Sequence, residues 1–156
     1  MTDMLVRLYD LPDPGPALKA CEVHGVRVRR ALAPEKHVVV AWVRTTFSEA
    51  WASECEAAFS RSPVSCFVAV RKGDVLGFAV HDATCLDFFG PTGVAPWERD
   101  KGIGRALLLS CLHAMAAQGY AYAVIGSASV PSYYEKAVGA VIIEGSSPGI
   151  YKGLLK

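Results

Sequence analysis

The sequence predicts an α+β fold, a layered sheet with helices on both faces. Three observations point there. From residue 26 onward the apolar pattern switches between a helical and a two-residue period, in the order β-α-α-β-β-β-α-β-α-β-β. Arg71-Lys-Gly-Asp74 separates two alternating apolar runs and reads as a hairpin. Gly102-Ile-Gly104 stands between a short apolar strand and a long helix-forming run. With 156 residues, 52% hydrophobic and 20% charged, the chain suits one folded domain of ordinary size.

Taken in order, residues 4–9 alternate weakly and read as a strand. The cluster Leu11-Pro-Asp-Pro-Gly-Pro16 breaks it, and residues 17–24 form a short helix. Residues 1–25 are read as an N-terminal extension packed on the core and 26–156 as the main domain, because Val26-Arg-Val-Arg-Arg30 looks like a fresh start after Gly25. Pro34 suits a first helical turn, and Val38, Val39, Trp42, Val43 and Phe47 give one apolar face. Ser48 is the N-cap of a helix over 49–59, with Trp51, Cys55 and Phe59 at helical spacing. Strands at 65–70 and 75–80 flank the hairpin turn. A third strand, 85–89, leads through Gly90-Pro-Thr-Gly93 to Val94. The run 105–118 is apolar on most of its circumference, which predicts a buried helix, and Gly119 ends it. A strand at 120–125, a loop at 126–129, a short helix at 131–137 and closing strands at 139–144 and 150–155 complete the pattern.

Charge and cysteine usage exclude several classes. The net charge is +1 and the basic residues are scattered, so nucleic acid is not the expected partner. Five cysteines without a Cys-x-x-Cys spacing predict neither a disulfide framework nor a metal site. The first residues lack the apolar run of a signal peptide, and the longest charge-free run is broken by Gln118-Gly119 and Pro131. No membrane association and a reducing cytoplasm are the expectation.

The stretch 94–107 carries the chemistry. Pro96 has no N–H to continue the strand that ends at Val94, a basic loop follows, and glycines precede the helix. Glycines there leave backbone N–H groups unscreened at the positive end of the helix dipole, which makes an anion site suited to a pyrophosphate. A tight strand-to-helix turn without a ligand has the same letters. The Gly-x4-Gly-Lys-Ser/Thr phosphate loop is absent, and Leu107 stands where a dinucleotide fingerprint needs a third small residue.

On these residues the chain resembles the GNAT superfamily of acetyl-CoA-dependent N-acyltransferases. Val94, Pro96, Arg99, Gly102, Ile103, Gly104 and Leu107 fall on its Arg/Gln-x-x-Gly-x-Gly/Ala signature, after a strand ending Val-x-Pro. Tyr134-Glu135-Lys136 followed by Gly139 matches its second landmark. The resemblance implies a mixed, mostly antiparallel sheet and acetyl-CoA as cosubstrate. It implies that the backbone of Lys101, Gly102, Ile103, Gly104 and Arg105 holds the pyrophosphate and that Val94 pairs with the pantetheine arm. Arg99 and Arg105 are candidates to add charge, unless they point to solvent. Ser127 and Ser129 are candidates to bond pantetheine.

The implied reaction is direct transfer of an acetyl group to an amine of a small molecule or peptide. Tyr134 falls on the general-acid position, with Tyr133 as competitor and simple packing as the plainer role. Asp87, in what reads as an apolar strand, and Glu54, on the preceding helix, are the candidate bases. Asp87 is equally explained by a hydrogen bond to a loop or a dimer partner. His81 and Asp82 are set aside because the pattern puts them at the far end of their strand. Trp42, Phe47, Trp51 and Trp97 either line an apolar acceptor groove or belong to the core. A homodimer is compatible with an unpaired edge strand. The competing function is a CoA-binding module that performs no transfer.

Overall fold

The computed structural model describes residues 1–156. Its elements, in chain order, are β1 (Thr2–Arg7), α1 (Gly15–Val23), β2 (Arg27–Arg30), α2 (Lys36–Thr46), α3 (Glu49–Ala58), β3 (Cys66–Arg71) and β4 (Asp74–His81). There follow β5 (Phe88–Val94), α4 (Ile103–Ala117), β6 (Tyr122–Ala128), α5 (Pro131–Val138) and β7 (Val141–Ile142). The strands form one sheet in the order β2-β3-β4-β5-β6-β1-β7. Every pairing is antiparallel except β5 with β6, so the sheet is mixed and mostly antiparallel.

The sheet has a core on each face because its buried strands are apolar at both parities. In β3, Phe67 and Ala69 join the larger cluster with α1 and α4, while Cys66 and Val68 join the smaller one with α2 and α3. Helix α4 explains its own all-round apolar character. Ile103, Ala106, Leu107, Leu108, Leu109, Cys111, Leu112 and Met115 are all buried, because α4 is covered by the sheet and by α1. Each buried Leu there contributes about 1.5–3 kcal/mol. The Ser48 hydroxyl caps α3 by accepting the Trp51 N–H at 3.1 Å, as the sequence predicts.

Four segments differ from the sequence-based expectation. Residues 2–7 of the N-terminal segment are part of the sheet: β1 lies between β6 and β7, with Met4 and Val6 fully buried. Residues 85–87 are not a strand but the end of a loop. Asp82 and Asp87 have positive φ there, and the Asp82 carboxylate accepts the Asp87 N–H at 2.7 Å. Strand β6 runs on to Ala128 through what reads as a loop. Residues 150–155 form no strand. Gly149 and Gly153, at φ of +59° and +75°, turn this segment back over the sheet.

No helix is long and apolar enough to cross a membrane.

Candidate active site

The site begins where two parallel strands part. β5 and β6 share only the register pairs Phe88–Val124 and Phe89–Ile125. Beyond them β5 stays with β4, pairing Thr92, Gly93 and Val94 to Ala79, Phe78 and Gly77. β6 stays with β1 as far as Ala128 opposite Thr2. The facing edges of residues 90–94 and 126–128 are therefore left without a partner.

Local sequence produces the divergence. On β5 the register with β4 shifts between Phe89 and Thr92, where Gly90 takes a φ of +112° and Pro91 offers no N–H. On β6 the shift falls at Gly126-Ser127, opposite Asp3. Ser127 has a φ of +50°, and the buried Asp3 carboxylate accepts its N–H at 2.8 Å. The Asp3 N–H in turn donates to the Ser146 hydroxyl at 2.8 Å. Asp3 thus fixes the β6 bulge and anchors the C-terminal segment. A lone Asp beside Met4-Leu5-Val6 was the only signal of it in the sequence.

One end of the split runs into the glycine-rich loop. After Val94 a short 3₁₀ turn, Pro96–Glu98, leads to Gly102, whose φ of +81° swings the chain into α4. No side chain caps the first N–H groups of α4. A Cβ on Gly102 would meet nothing within 4 Å, and one on Gly104 only Val94 at 3.7 Å and the Tyr133 hydroxyl at 4.0 Å. The cradle is open where an anion would sit. Its base is braced by Glu98, buried and bonded to the Arg71 guanidinium and to Lys101 Nζ at 2.6 Å. These two cations hold the Glu98 carboxyl down to about 2. The Lys101 side chain is therefore engaged inside the loop. Arg105 Nη1 donates to the Ala137 carbonyl at 3.3 Å, tying α4 to the end of α5, and Arg99 is exposed.

The other end opens into a cavity of about 750 Å³. Phe89 to Thr92 and Ile125 to Ser129 form its floor, Trp51 and Glu54 of α3 one wall, and Tyr134 of α5 another. Glu54 Oε1 accepts the Thr84 hydroxyl at 2.5 Å. Tyr134 packs edge-on against Phe89, with centroids 6.5 Å apart. Burial and the neighbouring Tyr133 push its phenol up to about 12, so it stays protonated at neutral pH. Tyr133 instead places its hydroxyl beside Gly104. Of the four aromatics considered for an acceptor groove, only Trp51 lines the cavity. Trp42 and Phe47 stack behind it around Phe78, and Trp97 is exposed on the 3₁₀ turn.

Asp87 lies elsewhere. It is outside the strand and outside the cavity, in a cluster with the pair the sequence reading set aside. His81 Nδ1 lies 2.7 Å from Asp82 Oδ2, and Asp82 Oδ1 accepts the Tyr120 hydroxyl at 2.9 Å. Burial pushes the Asp82 carboxyl up, but the Asp87 N–H, His81 and Tyr120 together bring it below its ordinary value. Burial and the Asp82 charge push Asp87 up to about 6, and Asp87 Oδ1 is buried without a partner. A carboxyl that titrates higher in the folded than in the unfolded chain loses stability as pH rises from about 4 to 6. Asp87→Asn removes that loss, and Asn tolerates the φ of +68°. The variant is expected to exceed the parent by roughly 1–2 kcal/mol at pH 8 and by almost nothing at pH 4. Thermal unfolding at the two pH values checks this; an equal difference at both rejects it.

The sequence model described as the acetyltransferase (GNAT) family matches residues 36–140, which hold the glycine loop, both parting strands and Tyr134. The chain belongs to the acetyltransferase (GNAT) family. Acyl transfer with acetyl-CoA as cosubstrate is the chemistry of this family.

Solved structures share the fold. A GCN5-related glucosamine N-acetyltransferase region of a fungal multi-domain GH3 β-N-acetylglucosaminidase superposes with a TM-score of 0.74 at 14% identity over 91% of this chain. A GCN5-related N-acetyltransferase from Sphaerobacter thermophilus gives 0.63 at 17%, and a Drosophila protein 0.65 at 14%, each over 91%. This chain spans 19%, 48% and 47% of those three chains, respectively. No curated protein matches the sequence.

Proposed function

We propose that the chain transfers an acetyl group from acetyl-CoA directly to the amine of a small molecule or peptide. The observation that carries this is the split between β5 and β6, which joins an uncapped glycine-rich helix N-terminus at one end to a cavity holding Tyr134 and Glu54 at the other. An extended ligand with amides suits two unpaired strand edges, as pantetheine suits these. Its pyrophosphate is received by the N–H groups from Lys101 to Arg105, with Arg99 adding charge. Val94, and Ser127 on the facing strand, contact the arm.

In the transfer the neutral amine attacks the thioester carbonyl. Glu54 accepts the proton that the amine must lose, directly or through one water. The new C–N bond forms as the C–S bond breaks, and Tyr134 donates its phenolic proton to the leaving sulfur. The products are an amide and the free CoA thiol. Asp87 takes no part, because it does not reach the cavity.

Thermal unfolding with and without acetyl-CoA tests the reading, with adenosine diphosphate and NAD as controls. Ligand at one hundred times its Kd adds about 2.7 kcal/mol. Each kcal/mol raises Tm by roughly 2–4 °C in a domain of this size. A rise of several degrees with acetyl-CoA and little with NAD is expected; no rise at millimolar acetyl-CoA rejects the reading.

A further inference from the structure

The cavity has an unusual balance of chemistry. Of its 22 lining residues 13 are hydrophobic, and Glu54 is the only one with a charged side chain. No Lys, Arg or His side chain faces it, so no side chain there neutralises a carboxylate or phosphate on an acceptor. A sugar's ring of hydroxyls would bond only the few Ser, Thr and Tyr hydroxyls there and lose the rest of its water against mostly apolar walls. A cationic amine on an apolar body meets the opposite situation: its charge finds Glu54 and its body finds Trp51 and the aliphatic wall.

The outer wall comes from the C-terminal segment. Ile150, Tyr151, Leu154 and Leu155 all line the cavity, and the segment is fastened through Ser146 to Asp3. The Tyr151 hydroxyl stands over Gly126, only 2.5 Å from where a Cβ would be, so a glycine is required for it to seat. That position lies just beyond the Phe89–Ile125 pair, where β5 and β6 part. Burial and the Glu54 charge push the Tyr151 phenol up to about 12, so it meets an acceptor as a neutral group. Ile150, Leu154 and Leu155 are more than half exposed, as expected of a wall whose inner side awaits an apolar ligand.

Resting on the acyl-transfer reading, we propose that the acceptor is a primary amine on an uncharged apolar body, drawn in by Glu54 and limited in length by Tyr151 of the C-terminal strap. The strap makes acceptor size a property of residues 150–155, far from the family signature in sequence.

The test compares 2-phenylethylamine, phenylalanine and glucosamine as acceptors for the wild-type protein, by release of CoA thiol at saturating acetyl-CoA. Phenylalanine adds only a carboxylate to the phenylethylamine body. It is expected to have a kcat/KM lower by about 100-fold or more, because that charge enters the cavity unpaired. Glucosamine is expected to give no turnover above the rate without acceptor. In Glu54→Gln the KM for phenylethylamine is expected to rise at least about tenfold, with the acetyl-CoA thermal shift unchanged. In Tyr151→Ala the preference for tryptamine over phenylethylamine is expected to rise about tenfold.

Equal or better use of phenylalanine or glucosamine overturns the proposal. So does an acetyl-CoA thermal shift without turnover of phenylethylamine, which leaves the cofactor reading standing. An unchanged preference in Tyr151→Ala overturns the role of the strap. Absence of the acetyl-CoA shift itself brings down the acyl-transfer reading and this proposal with it.

Discussion

Gly104→Glu is expected to abolish acetyl-CoA binding while leaving the protein folded. The two effects separate because of where the missing Cβ points. A side chain at position 104 starts in open space, touching only Val94 at 3.7 Å and the Tyr133 hydroxyl at 4.0 Å, so no core atom must move. The second residue of α4 is also a favourable place for a negative charge, and replacing a helical Gly contributes about 0.5–1 kcal/mol to stability. The same charge faces the pyrophosphate. Each hydrogen bond to a charged group is worth about 1.5–3 kcal/mol, so losing two of them and adding repulsion weakens binding by at least about 100-fold. Isothermal titration with acetyl-CoA, paired with a thermal melt of the free variant, reads both consequences. Binding within tenfold of wild type rejects the pyrophosphate assignment. Gly102 is a poor substitute for this experiment, because its φ of +81° strains any other residue and mixes folding with binding.

Tyr134→Phe is expected to lower kcat by about 100-fold with the Kd for acetyl-CoA changed less than about threefold. The ring stays, and with it the edge-on contact to Phe89, so packing is preserved. Only the proton donor is lost. A phenol held near 12 remains protonated across the neutral range, which is what donation to a leaving sulfur needs. Tyr133→Phe is the control: its hydroxyl stands at Gly104, so that change is expected to affect cofactor affinity more than kcat. A full rate in Tyr134→Phe, or an equal loss in Tyr133→Phe, removes the general-acid role.

These two neighbours separate what spacing conveys from what it does not. Tyr133 and Tyr134 are adjacent letters with the same chemistry, and no sequence argument ranks them beyond a resemblance. In the fold, α5 turns one toward the glycine loop and the other toward the cavity. Asp87 shows the converse. Its apolar neighbours Cys85 and Phe88 read as a strand, yet Leu86 is 61% exposed and the segment closes as a loop on Asp82. Local pattern cannot register a hydrogen bond made by a carboxylate five residues away. Glu54 falls on a helix the spacing predicts, but its neighbour Thr84 comes from another element altogether.

The sequence by itself determined the fold class, the order of elements from residue 26 to the short helix, and the glycine turn that opens α4. Those follow from local physics: apolar periodicity, a capping serine, and glycines that release the chain into a helix with its N–H groups uncovered. Tertiary structure decided the rest. It set β1 between β6 and β7, turned Asp3 into the brace of the β6 bulge, paired Arg71 with the buried Glu98, and laid the C-terminal strap over the cavity. Each of these joins residues far apart in the chain or depends on a bend at a single bulge or glycine. The energy that selects them comes from burial and from pairing buried charges, which exists only once the sheet has formed.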